Sequence, residues 1–321
     1  MILASICSLI IHKGPRYGIE FAGGTLIQVK FLSPAKTGDI KAGLNAIGLG
    51  KSSVQLFGDK KDNEFLIRTD RSVMTDQEFS SSIEKALASA TGNDVEIRRI
   101  EMVGPQVGKD LREKALFAIF YALLFIAIYI SGRFEFKWVL SGVMAAALIA
   151  CVYLLSRFSV SIPVLIAAAF IVTLVLFWRL DLKYAMAAIV ALIHDVTITV
   201  GFFSVFDKEF TLPIIAALLT IIGYSLNDTI IIFDRIRENL MKNQKKPLAA
   251  VINRSVNETL SRTILTSGTT LVVVVALFIL GGGIIHDFAF AMIVGIIVGT
   301  YSTVYVASPI LLGWQRSGNK K

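Results

Sequence analysis

A chain of 321 residues that is 55% hydrophobic and only 17% charged, with a mean hydropathy of +0.68, is too apolar for an ordinary soluble domain and reads as a membrane protein. Its formal net charge of +8 therefore directs attention to basic residues beside helix ends before any nucleic-acid surface. Cys7 and Cys151 stand in apolar stretches without CxxC or Cys/His spacing, so they support neither a disulfide framework nor a metal site and read as small apolar fillers.

The first segment, residues 1–12, opens with the apolar run Met1 to Ile11, which is shorter than the roughly 17 to 25 residues that cross a bilayer. A truncated N-terminus is the expectation, with a segment that only partly enters the bilayer as the alternative. Residues 13–110 form a polar module whose 14 basic and 13 acidic residues balance, which gives no support to nucleic-acid binding. Short β-rich runs predict strands over Gly24–Phe31, Ser53–Gly58, Glu64–Thr69 and Asp94–Met102. Helical spacing predicts helices over Thr37–Leu49 and Thr75–Thr91, the second opened by a capping box at Thr75-Asp76-Gln77-Glu78. Two helices on one face of a small mixed sheet is the expected α+β form. Gly23-Gly24 is too short for a dinucleotide fingerprint and reads as a turn or bulge.

Residues 111–316 divide into seven apolar spans: Leu111–Ile130, Trp138–Leu155, Ile162–Trp178, Tyr184–Phe206, Leu212–Phe233, Ile264–Leu280 and Ile284–Leu312. A short tail, 317–321, follows. Between Arg235 and Arg254 the basic residues Arg235, Arg237, Lys242, Lys245, Lys246 and Arg254 face a single acid, Glu238, so this loop is expected on the cytoplasmic side. Alternation then puts residues 133–137, 179–183 and the C-terminal lysines on the same side and the polar module outside, with Arg157 alone against the trend. The stretch "GRFEFKWVLSGVMAAALIA" echoes "WRLDLKYAMAAIVALIHD", as a duplicated entry segment would, although two independent helix starts with similar needs explain it as well.

Ionisable groups inside spans cost roughly 2.5 to 3.5 kcal/mol on insertion scales and usually face a bundle interior or a hydrated path. Asp228 shares a helical face with Tyr224, Ile231 and Arg235, with Ser225 and Asn227 close by, and suits a carboxylate that gains and loses a proton; a structural hydrogen bond is the alternative. Arg262 opens the next helix with Thr266, Thr269 and Thr270 beyond it, and Asp228 is its nearest carboxylate partner in the chain. An interfacial arginine is the competing reading. His194 and Asp195 point about 100° apart, which is poor for chelation, and Asp195 fits a polar interior shared with Asp228. His286-Asp287 falls after three glycines and reads as a solvated outer pair. Gly295, Gly299 and Thr303 give the small-residue spacing of close helix packing. No GxSxG, HExxH or Walker A sequence is present, so nothing marks an enzyme or a cofactor site.

Six stretches, "GIEFAGGTLIQVKF", "RRIEMVGPQVGKDLREKAL", "ALIHDVTITVGFF", "IIGYSLNDTIIIFDRIREN", "NETLSRTILTSGTTL" and "GIIVGTYSTVYVASPILL", together resemble the SecF branch of the SecD/SecF family, in order and over most of the chain. SecD members resemble it less, having a larger external domain and lacking the Tyr-Ser-Leu-Asn-Asp run. The resemblance implies a polytopic α-helical protein of the bacterial cytoplasmic (inner) membrane, with an inserted ferredoxin-like α+β domain on the extracytoplasmic side. It implies an accessory of Sec protein export that uses the proton-motive force and whose partners are SecD, the SecYEG channel, the translocating preprotein and the lipid bilayer; the residues themselves call for no cofactor and no metal. It implies proton-coupling roles for Asp228 and Arg262, to which the polar interior adds Asp195, with Tyr224, Asn227 and Thr266 in support. The sequence departs from the family at Glu20 and Ala22 beside the glycine pair, in its short first helix, and by an extra hairpin at about 134–180. A proton-coupled small-molecule or lipid exporter of the related resistance-nodulation-division type is the alternative, though about 98 external residues leave little room for a substrate cavity. A passive scaffold whose intramembrane charges fix helix register is a third reading.

Overall fold

The computed structural model describes residues 1–58, 61–70, 77–156, 161–242 and 246–318. Internal packing separates two units, one of Met1–Arg16, Ala115–Lys208 and Pro213–Lys321, the other of Tyr17–Lys114 with Glu209–Leu212. Helix α1 (Ile2–Ile11) opens the first unit. The short helix α2 (Ile19–Ala22) opens the second, followed by β1 (Gly24–Phe31), α3 (Thr37–Ala46), β2 (Ser53–Phe57), β3 (Glu64–Thr69), α4 (Gln77–Thr91) and β4 (Val95–Val103).

In the polar unit the strands lie in the order β2-β3-β1-β4, and every neighbouring pair is antiparallel. This corrects the expected mixed sheet. Each helix joins two strands that run the same way, but a third strand is inserted between them, so the two helical crossovers leave no parallel neighbours. That arrangement is the ferredoxin-like form. Alternation along β1 sends Ile27, Val29 and Phe31 to one face, where they meet Phe65 and Ile67 of β3, Ile40 and Leu44 of α3, and Ile83 and Leu87 of α4. Full burial of each such side chain contributes about 1.5 to 3 kcal/mol. The glycine pair is a turn: Gly23 and Gly24 have φ of 79° and 121°, and a side chain on Gly24 would strike the backbone of Thr69. Arg68 grips Glu209 with two guanidinium nitrogens, tying the 209–212 segment to this unit. The capping residues Thr75 and Asp76, like Arg157, Lys245, Lys320 and Lys321, lie outside the described residues.

The rest of the chain is helical: α5 (Pro105–Glu135), which enters the apolar unit at Ala115, α6 (Trp138–Leu155), α7 (Ile162–Arg179), α8 (Lys183–Val205), α9 (Leu212–Lys242), α10 (Leu248–Leu280), α11 (Gly283–Ser302), a π-helical turn (Thr303–Ala307) and α12 (Ser308–Gly318). Among the described residues, seven helices are long and apolar enough to cross a membrane, the last running over Ile285–Trp314 through the π turn. The chain is therefore a multi-pass membrane protein. Between apolar helices surrounded by lipid, packing of small residues and hydrogen bonds replaces the hydrophobic drive of water. Helix α1 uses both devices on α8, where Gly201 leaves room for Ser5 and the hydroxyls of Ser8 and Ser204 meet at 2.9 Å. Cys7 and Cys151 face outward, not into a core as filler positions would.

The hairpin α6–α7 leaves and rejoins the bundle at one place. The Glu135 carboxylate accepts the backbone N–H of Tyr184 at 2.8 Å and so caps the start of α8, while Lys137 Nζ donates to the carbonyl of Leu180 at 2.7 Å. Phe134 stacks on Tyr184 with centroids 5.2 Å apart. Helices α5 and α8 thus meet end to start across 47 intervening residues (136 to 182), as if the hairpin had been looped out.

Candidate functional site

Helices α8, α9, α10 and α11 carry the polar groups of the bundle interior. Asp195 of α8 is 1% exposed. Its Oδ2 accepts the hydroxyls of Ser225 on α9 at 2.6 Å and Ser302 at the end of α11 at 2.9 Å, and its Oδ1 lies 3.0 Å from His194 Nδ1. Close approach is possible because Gly299 stands where a Cβ would lie 3.0 Å from Ser225 Cβ and 3.6 Å from Asp195 Oδ2. The small-residue spacing read on this helix is therefore the spacing of the clasp: Gly295 admits Ile221, Gly299 admits Ser225, and Thr303 meets Thr229 at 3.2 Å. The π turn begins directly after Ser302, and the carbonyl of Thr303 accepts the hydroxyl of Ser308 at 3.0 Å.

Asp228, three residues beyond Ser225 and 2% exposed, is held differently. Among the described residues its hydrogen-bond partner is Ser267 of α10, at a long 3.4 Å, and Ser267 in turn accepts Thr300 Oγ1 at 2.9 Å. Tyr224 reaches Thr270 at 3.3 Å, one turn along the same seam.

The structure brings some predicted residues together and parts others. No ion pair within 4.0 Å joins Arg262 to Asp228; Arg262 lies on the surface of the chain. Asn227 is exposed as well, because a step of one residue on a helix rotates it about 100° away from Asp228. Thr266 turns back on its own helix, donating to the carbonyl of Arg262 at 3.0 Å. Arg235 is not part of the Asp228 face in practice: it pairs with Glu238 at 2.7 Å and Glu258 at 2.6 Å. Glu258 also accepts Arg254 and Asn239. His286 and Asp287 are not a solvated loop pair. They sit in the first turns of α11, where His286 Nδ1 contacts the carbonyl of Phe278 at 2.8 Å and Asp287 pairs with Lys208 at 2.5 Å. Among the described residues no three His, Cys, Asp or Glu side chains gather as a metal site.

Sequence reasoning missed Ser302, Ser267 and Thr300 as partners of the carboxylates. A serine in an apolar helix carries no mark of what it will face, and only the Gly-xxx-Gly spacing beside Ser302 hinted at a close contact there.

Comparison with known proteins places the chain in a family. The family described as "Protein export membrane protein SecD/SecF, C-terminal" matches residues 82–163 and 157–317, and the "SecD/SecF GG Motif" matches residues 8–34. The chain is 42% identical over 311 residues to a protein translocase subunit SecF of Desulfurispirillum indicum, covering 94% of this chain and 83% of that protein. It is 42% identical over 312 residues to a protein translocase subunit SecF of Vibrio alginolyticus, covering 97% and 84%. The crystal structure of SecDF, a translocon-associated membrane protein from Thermus thermophilus, superposes with a TM-score of 0.74 at 32% identity. That likeness covers 98% of this chain but 37% of the longer SecDF chain, so the present chain spans just over a third of it.

Proposed function

The chain belongs to the SecD/SecF family of protein export membrane proteins, and on that premise we propose that it couples the proton-motive force to preprotein translocation as an accessory of the Sec machinery. In this reading it works without enzymatic chemistry in the cytoplasmic membrane of a bacterium, with the polar unit on the extracytoplasmic side. There the polar unit contacts the emerging preprotein beside the SecYEG channel. Its membrane partner is SecD. The outward Arg262 and Asn227 favour such a partner, since charged and amide groups on spanning helices are costly against lipid and belong against protein or water.

One observation carries the coupling role: Asp228 is buried among membrane helices, yet held by a single long hydroxyl contact among the described residues. A carboxylate so loosely held can exchange its proton and change partners without dismantling the bundle. A charge moved through the membrane potential supplies roughly 2.3 kcal/mol per 100 mV, enough to shift a two-state equilibrium more than tenfold if the two states hold the carboxylate differently. The test is preprotein translocation in vesicles containing the SecD partner, with and without an imposed proton gradient. The gradient should stimulate wild type and leave Asp228→Asn at its ungraded rate. Equal stimulation of both would remove Asp228 from the coupling path.

A further inference from the structure

Helix α10 presents to the bundle a row of hydroxyls at four-residue spacing: Ser255, Thr259, Thr263 and Ser267, which are 0%, 8%, 1% and 7% exposed. The row ends at Asp228, which Ser267 contacts at 3.4 Å. It begins at Asn239 of α9, whose Nδ2 donates to Ser255 at 3.0 Å and to Glu258 at 2.8 Å, and the Glu258 side chain is 24% exposed. So a continuous polar row joins an accessible carboxylate at the basic 235–254 end of the α9–α10 hairpin to the buried carboxylate in its middle.

A row of small polar residues can serve packing alone, and most helical Ser and Thr hydroxyls are satisfied by the carbonyl one turn back. Ser255 and Thr259 do this, at 2.8 and 3.0 Å, as do Thr266, Thr269 and Thr270 on other faces of the same helix. Thr263 does not. Its Oγ1 is fully buried and has no hydrogen-bond partner, although it stands midway along the row. A buried hydroxyl left in this state carries its full desolvation penalty unless water satisfies it. The spacing suits water: four residues rise about 6 Å, too far for hydroxyls to bond each other and close to the span of one bridging water with two hydrogen bonds.

We infer that the α9–α10 seam is a hydrated access path along which protons move between the Asn239–Glu258 end of the hairpin and Asp228, with Thr263 as its central water-binding group. The inference rests on the proton-coupling reading of Asp228 and adds the route and its side. Protons pass from water to water along the row and reach Asp228 through Ser267, and no covalent bond other than O–H is made or broken.

The test uses the chain with SecD in vesicles and two readouts. In a background of Cys7→Ser and Cys151→Ser, Thr263→Cys should react with methanethiosulfonate ethylammonium, which needs water at the thiol, while Val274→Cys, buried on the same helix beyond the row, should stay unmodified. Thr263→Val, which keeps the shape and loses the hydroxyl, should lose most of the gradient-dependent stimulation, and Thr263→Ser should restore it. Labelling at Thr263→Cys no faster than at Val274→Cys, or full gradient stimulation in Thr263→Val, overturns the path. If Asp228→Asn itself keeps full stimulation, the coupling reading fails instead, and the labelling result still reports whether water enters the seam.

Discussion

Asp195 and Asp228 are two carboxylates buried in the same bundle, at 1% and 2% exposure, and the protein treats them in opposite ways. Asp195 has both oxygens engaged, by Ser225, Ser302 and His194, and so fastens α8 to α9 and to the end of α11. Asp228 has Ser267 at 3.4 Å among the described residues, and its expected cation stands off at the chain surface. Burial alone would have assigned both the same role. The number and length of the donors separates a clasp from a group free to exchange.

The largest effect that would break this comparison is on stability. Asp195→Ala removes the acceptor for Ser225 and Ser302; the Ser225 hydroxyl loses the partner it has here, at a cost of about 1 to 3 kcal/mol, while Ser302 keeps the Gly299 carbonyl at 3.1 Å. Thermal unfolding in detergent should show a clear fall in Tm for Asp195→Ala and almost none for Asp228→Asn, which gives up one long contact. A comparable fall in both variants would mean that Asp228 is a structural residue too. A related expectation concerns charge placement: exchanging the pair as Asp228→Arg with Arg262→Asp should abolish activity, because it buries a guanidinium where no partner within 4.0 Å exists. Recovery of gradient-stimulated translocation by the exchanged pair would favour a scaffold whose charges only set register.

Smaller effects sharpen the contrast. Ser302→Ala removes one of the two hydroxyls on Asp195 Oδ2 and should cost about 0.5 to 1.5 kcal/mol, roughly the net worth of one hydrogen bond. The gradient response should persist, because the second hydroxyl still holds the clasp. Thr300→Val acts at one remove from Asp228, through Ser267, and should change the gradient response only modestly while leaving Tm within experimental scatter. A Ser302→Ala variant that lost coupling at unchanged stability would move the working site from Asp228 to the clasp.

Much of the fold was readable before any coordinates. The seven spans follow from the length of apolar runs, and the four strands over 24–103 from short β-rich runs, because both signals are local. The order of the strands is not local, which is why the sheet was expected to be mixed when the topology makes every neighbouring pair antiparallel. At the site, Asp195 and Asp228 stand out because charge in an apolar run is conspicuous. Their partners do not, since Ser267 and Ser302 look like any helical serine until a second helix is placed beside them. Arg262 was paired with Asp228 by sequence proximity of the two helices, but helix rotation decided otherwise. The π turn at Thr303–Ala307 had no sequence signal.

The most direct measurement is infrared difference spectroscopy of the chain reconstituted with SecD, taken as the pH on the side of the 235–254 loop is stepped. A carboxylic C=O band that follows the step, disappears in Asp228→Asn and survives in Asp195→Asn is the predicted result. A band that survives in Asp228→Asn and vanishes in Asp195→Asn would contradict the assignment and make the clasp, not the loosely held carboxylate, the group that takes up the proton.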